Sequence, residues 1–497
     1  MAIKLATPGV YIEEKNAFPN SVVAGSTAVP AFVGYTAKTS RKGQSLLNKA
    51  VRITSFTEFV DTFGGQPATK FTISEATGDE IDVEIAGKNY QVSPEVAARH
   101  LLYDSLRLFF ANGGSLCYIV TVGSYADAIG KKALEAGVNA LISEAEPTLV
   151  VVPEAVMLDK ENAFAVQQAV LLHCGQKMKN RFAILDVYDG YKKRSYDEDD
   201  VITQFREGVG NNFLNFGAAY YPWAYTSIVQ ADEISLANFS DLAGLQALLE
   251  GEVDTIYNDA KRSAEAKVEI KKLTDAGANL DAVHQTLNTI SPAYKSILGQ
   301  IRMQLNILPP SAGIAGVYAM VDGTRGVWKA PANVGFNSVT LPTVKITHDD
   351  QEDLNVTVTG KSVNAVRSFP GEGVLVWGAR TLDGNSQDWR YVNVRRTMLF
   401  IEESVKNAAK AYVFEANTAN TWTLMKSMIS SFLTDLWNQG GLVGTTADQA
   451  FEVLVGIGST MTPNDVLDGI MRITVKVAIS RPAEFIVITF QQKMQES

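Results

Sequence analysis

The feature that most constrains this chain is a series of short, almost wholly apolar segments separated by helix-like stretches. They are "LCYIVTV" from Leu116, "TLVVVP" from Thr148, "RFAILDV" from Arg181 and "FGAAYYPW" from Phe216. A strand with one face in water alternates apolar and polar residues, so a strand apolar on both faces must be covered on both. The stretch "NAFAVQQAVLLHCGQKM" between two of them reads as a helix, and the alternation predicts an α/β domain with a buried, mostly parallel sheet and helices on its faces. Upstream, "STAVPAFVGYT" supplies a further strand and "ITSFTEFVDTFGG" a short amphipathic helix stopped by Gly64 and Gly65. "SPEVAARHLLYDSLRLFFANGG" reads as a longer helix, with Ser93 as its N-cap and Pro94 in its first turn.

The pattern changes between residues 241 and 306, where long charged helices form an apparent insertion; Asp259/Arg262 and Glu269/Lys272 stand at spacings that share a helix face. Leu308 to Phe336 is dense in Pro and Gly and reads as an ordered connector making several turns. After "GVLVWGARTLDG" comes an α+β domain: helices "RRTMLFIEESVKNAAKAYVF" and "NTWTLMKSMISSFLTDLWNQ", then strands "AFEVLVG", "MRITVKVAI" and "EFIVITF". In "RITVKVAI", Ile473, Val475, Val477 and Ile479 alternate with Arg472, Thr474 and Lys476, which marks a half-exposed antiparallel strand beside an open sheet edge.

At 497 residues the chain is long enough for two or more domains. Its net charge of -10 and the want of a basic stripe with interleaved aromatics argue against nucleic acid as a partner. "MAIKLATPG" lacks the apolar run of a secretory signal, and the longest charge-poor stretch, from Gly208, is broken by Asn211, Asn212, Asn215 and Pro222, so no transmembrane helix and no membrane insertion are expected. The two cysteines, Cys117 and Cys174, stand far apart in apolar settings, which suits reduced thiols and folding in the cytoplasm.

Several motifs fail. "GKS" at Gly360–Ser362 has Asn355 where a phosphate-cradling loop needs glycine, "GVGNNF" at Gly208 lacks the third glycine of a dinucleotide turn, and "GQSLL" at Gly43 lacks the last glycine of a nucleophile elbow. His100, His173, His284 and His348 are not spaced as zinc ligands, and the acidic runs "YDEDD" and "HDDQED" lack the glycine of a calcium loop, so they read as solvated loop carboxylates. The expectation is a non-enzyme with no catalytic residue, no cofactor and no metal.

The two ends of the chain are both strand-like. In "TPGVYIEE", Val10 and Ile12 share one face and Tyr11 the other; in "RPAEFIVITF", Ile486, Ile488 and Phe490 share one face and Phe485 and Val487 the other. Such segments either pair within their own subunit or add a strand to an open sheet edge on another chain. These two ends, with "VPAFVGYT", "SFTEFVDTFGG", "LFFANGGSLCYIVTVG", "PPSAGIAGVYAMVDGTRGVWKAPAN", "GVLVWGARTL" and "TPNDVLDGIMRITVKVAI", occur in an order that resembles the contractile tail sheath family. That family includes phage tail sheaths and the sheaths of phage-tail-like injection particles, and the "RPAEFI" terminus leans towards the latter.

The resemblance implies a fold of α/β plus α+β class. A subtilisin-like α/β outer domain would span residues 23–383 with its helical insertion, and an α+β inner domain residues 384–480. Strand-donating arms would occupy residues 1–22 and 481–497. It further implies a homo-oligomer of hexameric rings stacked helically around an inner tube protein, with baseplate and terminator proteins as partners. Such a particle is assembled in the cytoplasm and is released in some cases. The arm residues would be Val10, Tyr11, Ile12, Phe485, Ile486, Val487, Ile488 and Phe490. Arg395, Arg396, Lys406, Lys410 and Lys426 are the candidate cations facing an acidic tube.

Overall fold

The structure is a computed structural model that describes residues 22–76, 81–96, 99–356 and 359–487. The chain divides into two compact units, a larger one of residues 26–399 and 481–497 and a smaller one of residues 1–25 and 400–480. The division falls at Leu399/Phe400, inside a helix.

The larger unit is built on nine strands: β1 Pro30–Thr36, β2 Ala50–Ile53, β3 Cys117–Ser124, β4 Leu149–Val151, β5 Phe182–Asp186, β6 Gly217–Tyr221, β7 Val334–Gly335, β8 Asn364–Phe369 and β9 Gly373–Trp377. They lie in the order β7-β9-β8-β6-β5-β4-β1-β3-β2. From β8 through to β3 the pairs are parallel, and the strands at both ends of the sheet are antiparallel. β4, β5 and β6 are buried along their whole length, as their continuous apolar sequence requires.

Helices cover both faces: α1 Phe56–Phe63, α2 Leu102–Ala111, α3 Lys131–Ala140, α4 Lys160–Leu172 and α5 Val201–Gly208 in the first half of the unit. Successive residues of a strand point to opposite faces. Accordingly Phe32 of β1 meets Phe109 of α2, with ring centroids 5.1 Å apart, while Val33 faces Gly137 of α3.

α2 begins at Leu102, not near Ser93. Ser93 and Pro94 end a strand, Lys88–Pro94, that pairs with Phe71–Glu75 and Val83–Ile85. The turn at Ala86 and Gly87, with φ of 52° and 78°, matches the twist of a two-residue hairpin, and it puts Tyr90 and Val92 into a core. That core is a second one, shared with the helical run α6 Leu242–Ile256, α7 Ala260–Lys271, α8 Leu280–Ile290 and α9 Pro292–Leu305. Asp241, Asp259, Asn279 and Ser291 cap the four helices in turn.

The first part of the Pro- and Gly-dense block read as a connector is instead a helix, α10 Ser311–Arg325, ended by Gly326 at φ 87°, and the turns expected of a connector follow it up to Phe336. Its small residues let it lie against α2: a Cβ on Gly316 would stand 2.4 Å from the Phe109 carbonyl oxygen. Farther on, α11 His348–Asn355 carries the second acidic run.

In the smaller unit, α13 Ala419–Asn438 packs against a two-stranded antiparallel ribbon, β10 Phe451–Val455 and β11 Ile473–Val477. α12 Val392–Ala409 contributes its second half to this unit. There Phe400 meets Phe432 of α13 at 5.9 Å, and Ser404 Oγ accepts from the Gly25 N–H.

Candidate assembly interface

Among the described residues of the smaller unit, the ribbon has backbone hydrogen-bonding groups standing in a row without a partner strand. β10 and β11 run in register from Phe451↔Val477 to Val455↔Ile473, and among the described residues no third strand joins either edge. An isolated pair of strands is marginal in water. Here α13 supplies the missing core through Met425, Met428, Ile429, Phe432, Leu433 and Leu436, spaced at one helical face. The cover is incomplete: Val453 is buried, but Ile473, Val475 and Val477, predicted to form an apolar face, are only half-buried. A ribbon with open edges and a half-covered apolar face is a surface that can accept a further strand.

Of the predicted arm residues, Val10, Tyr11, Ile12, Ile488 and Phe490 lie outside the described residues. Phe485, Ile486 and Val487 are exposed by 69%, 77% and 89%, and they belong to no strand of their own subunit. The smaller unit presents other exposed apolar groups that the sequence reading did not single out, among them Val413, Phe414 and Leu467.

The candidate cations separate into two groups. Arg395 and Arg396 do not offer charge to solvent: both are buried in the larger unit. Arg396 forms a forked pair with Asp322 at 3.0 and 2.5 Å and lies over the Tyr318 ring, while Arg395 lies over Phe216 and Trp389. The "RR" of the sequence therefore falls on the inward face of α12. Lys406, Lys410 and Lys426 are exposed; Lys406 pairs with Glu403 at 3.1 Å, and Lys410 donates to Asn407 at 2.8 Å.

The titratable groups of the larger unit are structural. Glu154, fully buried, accepts from the backbone N–H groups of Tyr35, Leu101 and Leu102 and so caps α2 from 52 residues away. Burial pushes its carboxyl up to about 7, against the pull of those three donors. His100, its pKa lowered by burial, lies between Tyr35 and Tyr125 with Nδ1 3.9 Å from Glu154. Ser311 donates both its N–H and its hydroxyl to Asp186, another carboxyl that burial raises to about 7.

A hydrolase of the Ser-His-Asp type needs an imidazole beside such a serine. Here His100 packs against Glu154, His173 lies 2.8 Å from Arg181, His284 meets the Tyr294 hydroxyl, and His348 starts α11. The fully buried Ser311–Asp186 pair is a helix-to-sheet fastening.

The two acidic runs, read as solvated loops, in fact meet. Arg194 bridges Asp200 and Asp353 at 2.9 Å each, Arg206 adds a second bond to Asp353, and the Tyr196 hydroxyl donates to Asp350. Burial opposes ionisation at Asp200 and Asp353, yet the guanidinium groups overcome it and hold both carboxyls below the usual range. Among the described residues no group of three or more His, Cys, Asp or Glu is placed to hold a metal, and no helix is long and apolar enough to cross a membrane. Cys117 and Cys174 are free and buried, and burial raises both thiols.

Comparison with known proteins bears on the same region. The family model for the phage tail sheath C-terminal domain matches residues 385–493, the stretch holding α12, α13, the ribbon and the terminal segment. The tail sheath protein of Vibrio phage KVP40 is 29% identical over 198 residues, or 38% of this chain and 28% of that protein. The chain thus matches little more than a quarter of that curated relative's length. Solved sheath structures match end to end. The helical sheath of the anti-feeding prophage in its contracted state has TM-score 0.61 and 27% identity, over 98% of this chain and 99% of that one. The PVC sheath complex of an extracellular contractile injection system, also contracted, has TM-score 0.61 and 27% identity, over 99% of each chain. These relatives are structural sheath proteins. In its C-terminal stretch and in this end-to-end likeness, the chain is similar to contractile tail sheath proteins.

Proposed function

We propose that this chain is the structural subunit of a contractile sheath, in which copies polymerise as stacked hexameric rings around an inner tube and contraction drives the tube through a target envelope. The observation that carries the reading is the end-to-end match to sheath chains of contractile injection particles. That match favours a phage-tail-like injection particle. The alternative, a phage contractile tail, rests on the partial match to the phage protein.

In this reading the larger unit is the outer domain and the smaller unit the inner one. Terminal arms add strands to the open ribbon of neighbouring copies, so that β10 and β11 become part of a sheet shared between chains. Each shared backbone hydrogen bond contributes about 0.5 to 1.5 kcal/mol net, so one arm is modest and the lattice is strong by repetition. Lys406, Lys410 and Lys426 face the tube. Baseplate and terminator proteins bind the two ends of the assembly, which forms in the cytoplasm. Electron microscopy of the overexpressed protein tests the reading: tubes or stacked rings are expected, and a strictly monomeric protein at high concentration would overturn it.

A further inference from the structure

Among the described residues, the C-terminal segment is held to its own subunit chiefly through the Glu484 carboxylate, with a long Arg481–Asp388 ion pair at 3.9 Å beside it. Arg380 is 3% exposed, and its backbone N–H and C=O are both held by the side chain of Asn364, itself fully buried in β8. The backbone from which the guanidinium extends is therefore anchored. One terminal nitrogen donates to the Asn355 carbonyl oxygen. The remaining donors converge on Glu484: Nε reaches its two oxygens at 2.9 and 3.2 Å and the other terminal nitrogen reaches one at 2.7 Å. The Tyr391 hydroxyl adds a bond at 3.2 Å and the Asn355 amide a long one at 3.4 Å. Planar, forked recognition of this kind fixes direction as well as distance.

Glu484 is also where the segment lets go. Arg481 and Ala483 are exposed, Pro482 and Glu484 half-buried, and Phe485, Ile486 and Val487 all exposed. The inward-and-outward alternation of an extended segment stops at this carboxylate, and the most apolar described part of the segment follows at once. A chain that needed only to cover these apolar groups would turn them inward, but the pair directs them to solvent.

We propose that the Arg380–Glu484 pair is a register pin. It sets the point and the orientation at which the C-terminal arm leaves the larger unit, and so which face of Phe485–Val487 is presented to a second copy of this chain. The proposal rests on the sheath reading and adds to it the residue that positions the arm. A one-residue slip of a strand moves every side chain to the opposite face, so the pin has a consequence that plain fastening would not have.

The test uses the full-length chain in three forms: wild type, Glu484→Ala, and a variant with one alanine inserted between Glu484 and Phe485. The insertion leaves the pair intact and changes only the register beyond it. Thermal unfolding of the dissociated subunit, amide exchange at residues 481–487 and the protein concentration needed for tubes are measured on each. Glu484→Ala should raise exchange in the segment and the tube-forming concentration roughly tenfold or more, which corresponds to about 1.4 kcal/mol. The insertion should leave the melting temperature unchanged and prevent tubes at the wild-type concentration. Should Glu484→Ala unfold through its unpaired arginine, the insertion decides alone. Normal tubes from the insertion variant overturn the pin while leaving the sheath reading intact; a wild type that forms no tubes overturns both.

Discussion

Single residues set this protein's response to pH, and they act against the usual expectation for carboxylates. Glu154 and Asp186 are raised by burial to about 7 and Asp104 to about 6. Unfolded carboxyls ionise near pH 4, so between roughly pH 4 and 7 the folded chain holds protons that the unfolded chain has released, and stability falls as pH rises through that window. Asp200 and Asp353, whose pKa values are depressed, behave oppositely, and their contribution is lost only as pH drops below about 4. The stability of the dissociated subunit should therefore peak near pH 4 and fall towards pH 7, by an amount on the order of 1 to 3 kcal/mol, read as a declining melting temperature. A profile rising steadily to pH 8 would count against protonated buried carboxyls. Glu154→Gln should flatten the slope and lower the melting temperature at every pH, because its amide nitrogen would face backbone N–H donors that now meet an oxygen. Nothing in the sequence near Glu154 marks it as a cap for α2: the cap is tertiary, and a search for local Ser, Thr or Asp capping stops instead at Ser93.

At the scale of elements, α10 shows what residue spacing conveys and what it hides. The strands β3 to β6 were legible because burial on both faces writes itself as continuous apolar sequence. α10 was not legible, because a helix pressed against a neighbouring helix and the sheet selects small residues, and Gly with Pro otherwise signals turns. The same helix supplies a paired test. A Cβ on Gly316 would lie 2.4 Å from the Phe109 backbone oxygen, whereas one on Gly323 meets nothing within 4 Å. Gly323→Ala should stabilise by about 0.5 to 1 kcal/mol through helix propensity, and Gly316→Ala should destabilise by roughly 1 to 3 kcal/mol through overpacking, both read from denaturant midpoints. Equal effects would mean that α10 is not pressed against α2.

The end of α12 offers a second test at this scale. Of the five cations proposed from sequence to face a tube, burial removes Arg395 and Arg396 and leaves Lys406 and Lys410 exposed. Reversing both to Glu should lower the subunit's melting temperature only slightly, through the lost Lys406–Glu403 pair, while it weakens sheath assembly on the tube and reduces its sensitivity to salt, since screening acts on exposed charges. Unchanged assembly with an unchanged salt response would take these two lysines out of the interface.

At the scale of the whole molecule, the question is what holds copies together without being needed to hold one copy up. The larger unit ends its sheet in short antiparallel strands and covers both faces with helices over a continuous core, so its folding calls for no neighbour. The ribbon of the smaller unit is different: two strands, one helix and a half-covered apolar face form a fold that is complete enough to persist and open enough to be extended. If "TPGVYIEE" supplies such a strand to another copy, deleting residues 1–14 removes no core of its own subunit. The cooperative melting of the larger unit should then stay where it is, while tubes disappear. Were the segment instead packed on its own subunit, its removal would expose apolar surface at about 25 cal/mol per Å² and lower the melting temperature. Replacing Val10 and Ile12 by proline is the finer test, because it deletes two backbone donors on one side of the segment while leaving the chain length intact, and a strand paired through that side cannot form its ladder. The doubly substituted chain should melt as the wild type does and fail to polymerise. Normal tubes from it, or an unfolded subunit, would each show that Val10 and Ile12 do not act as a strand lent to a neighbour.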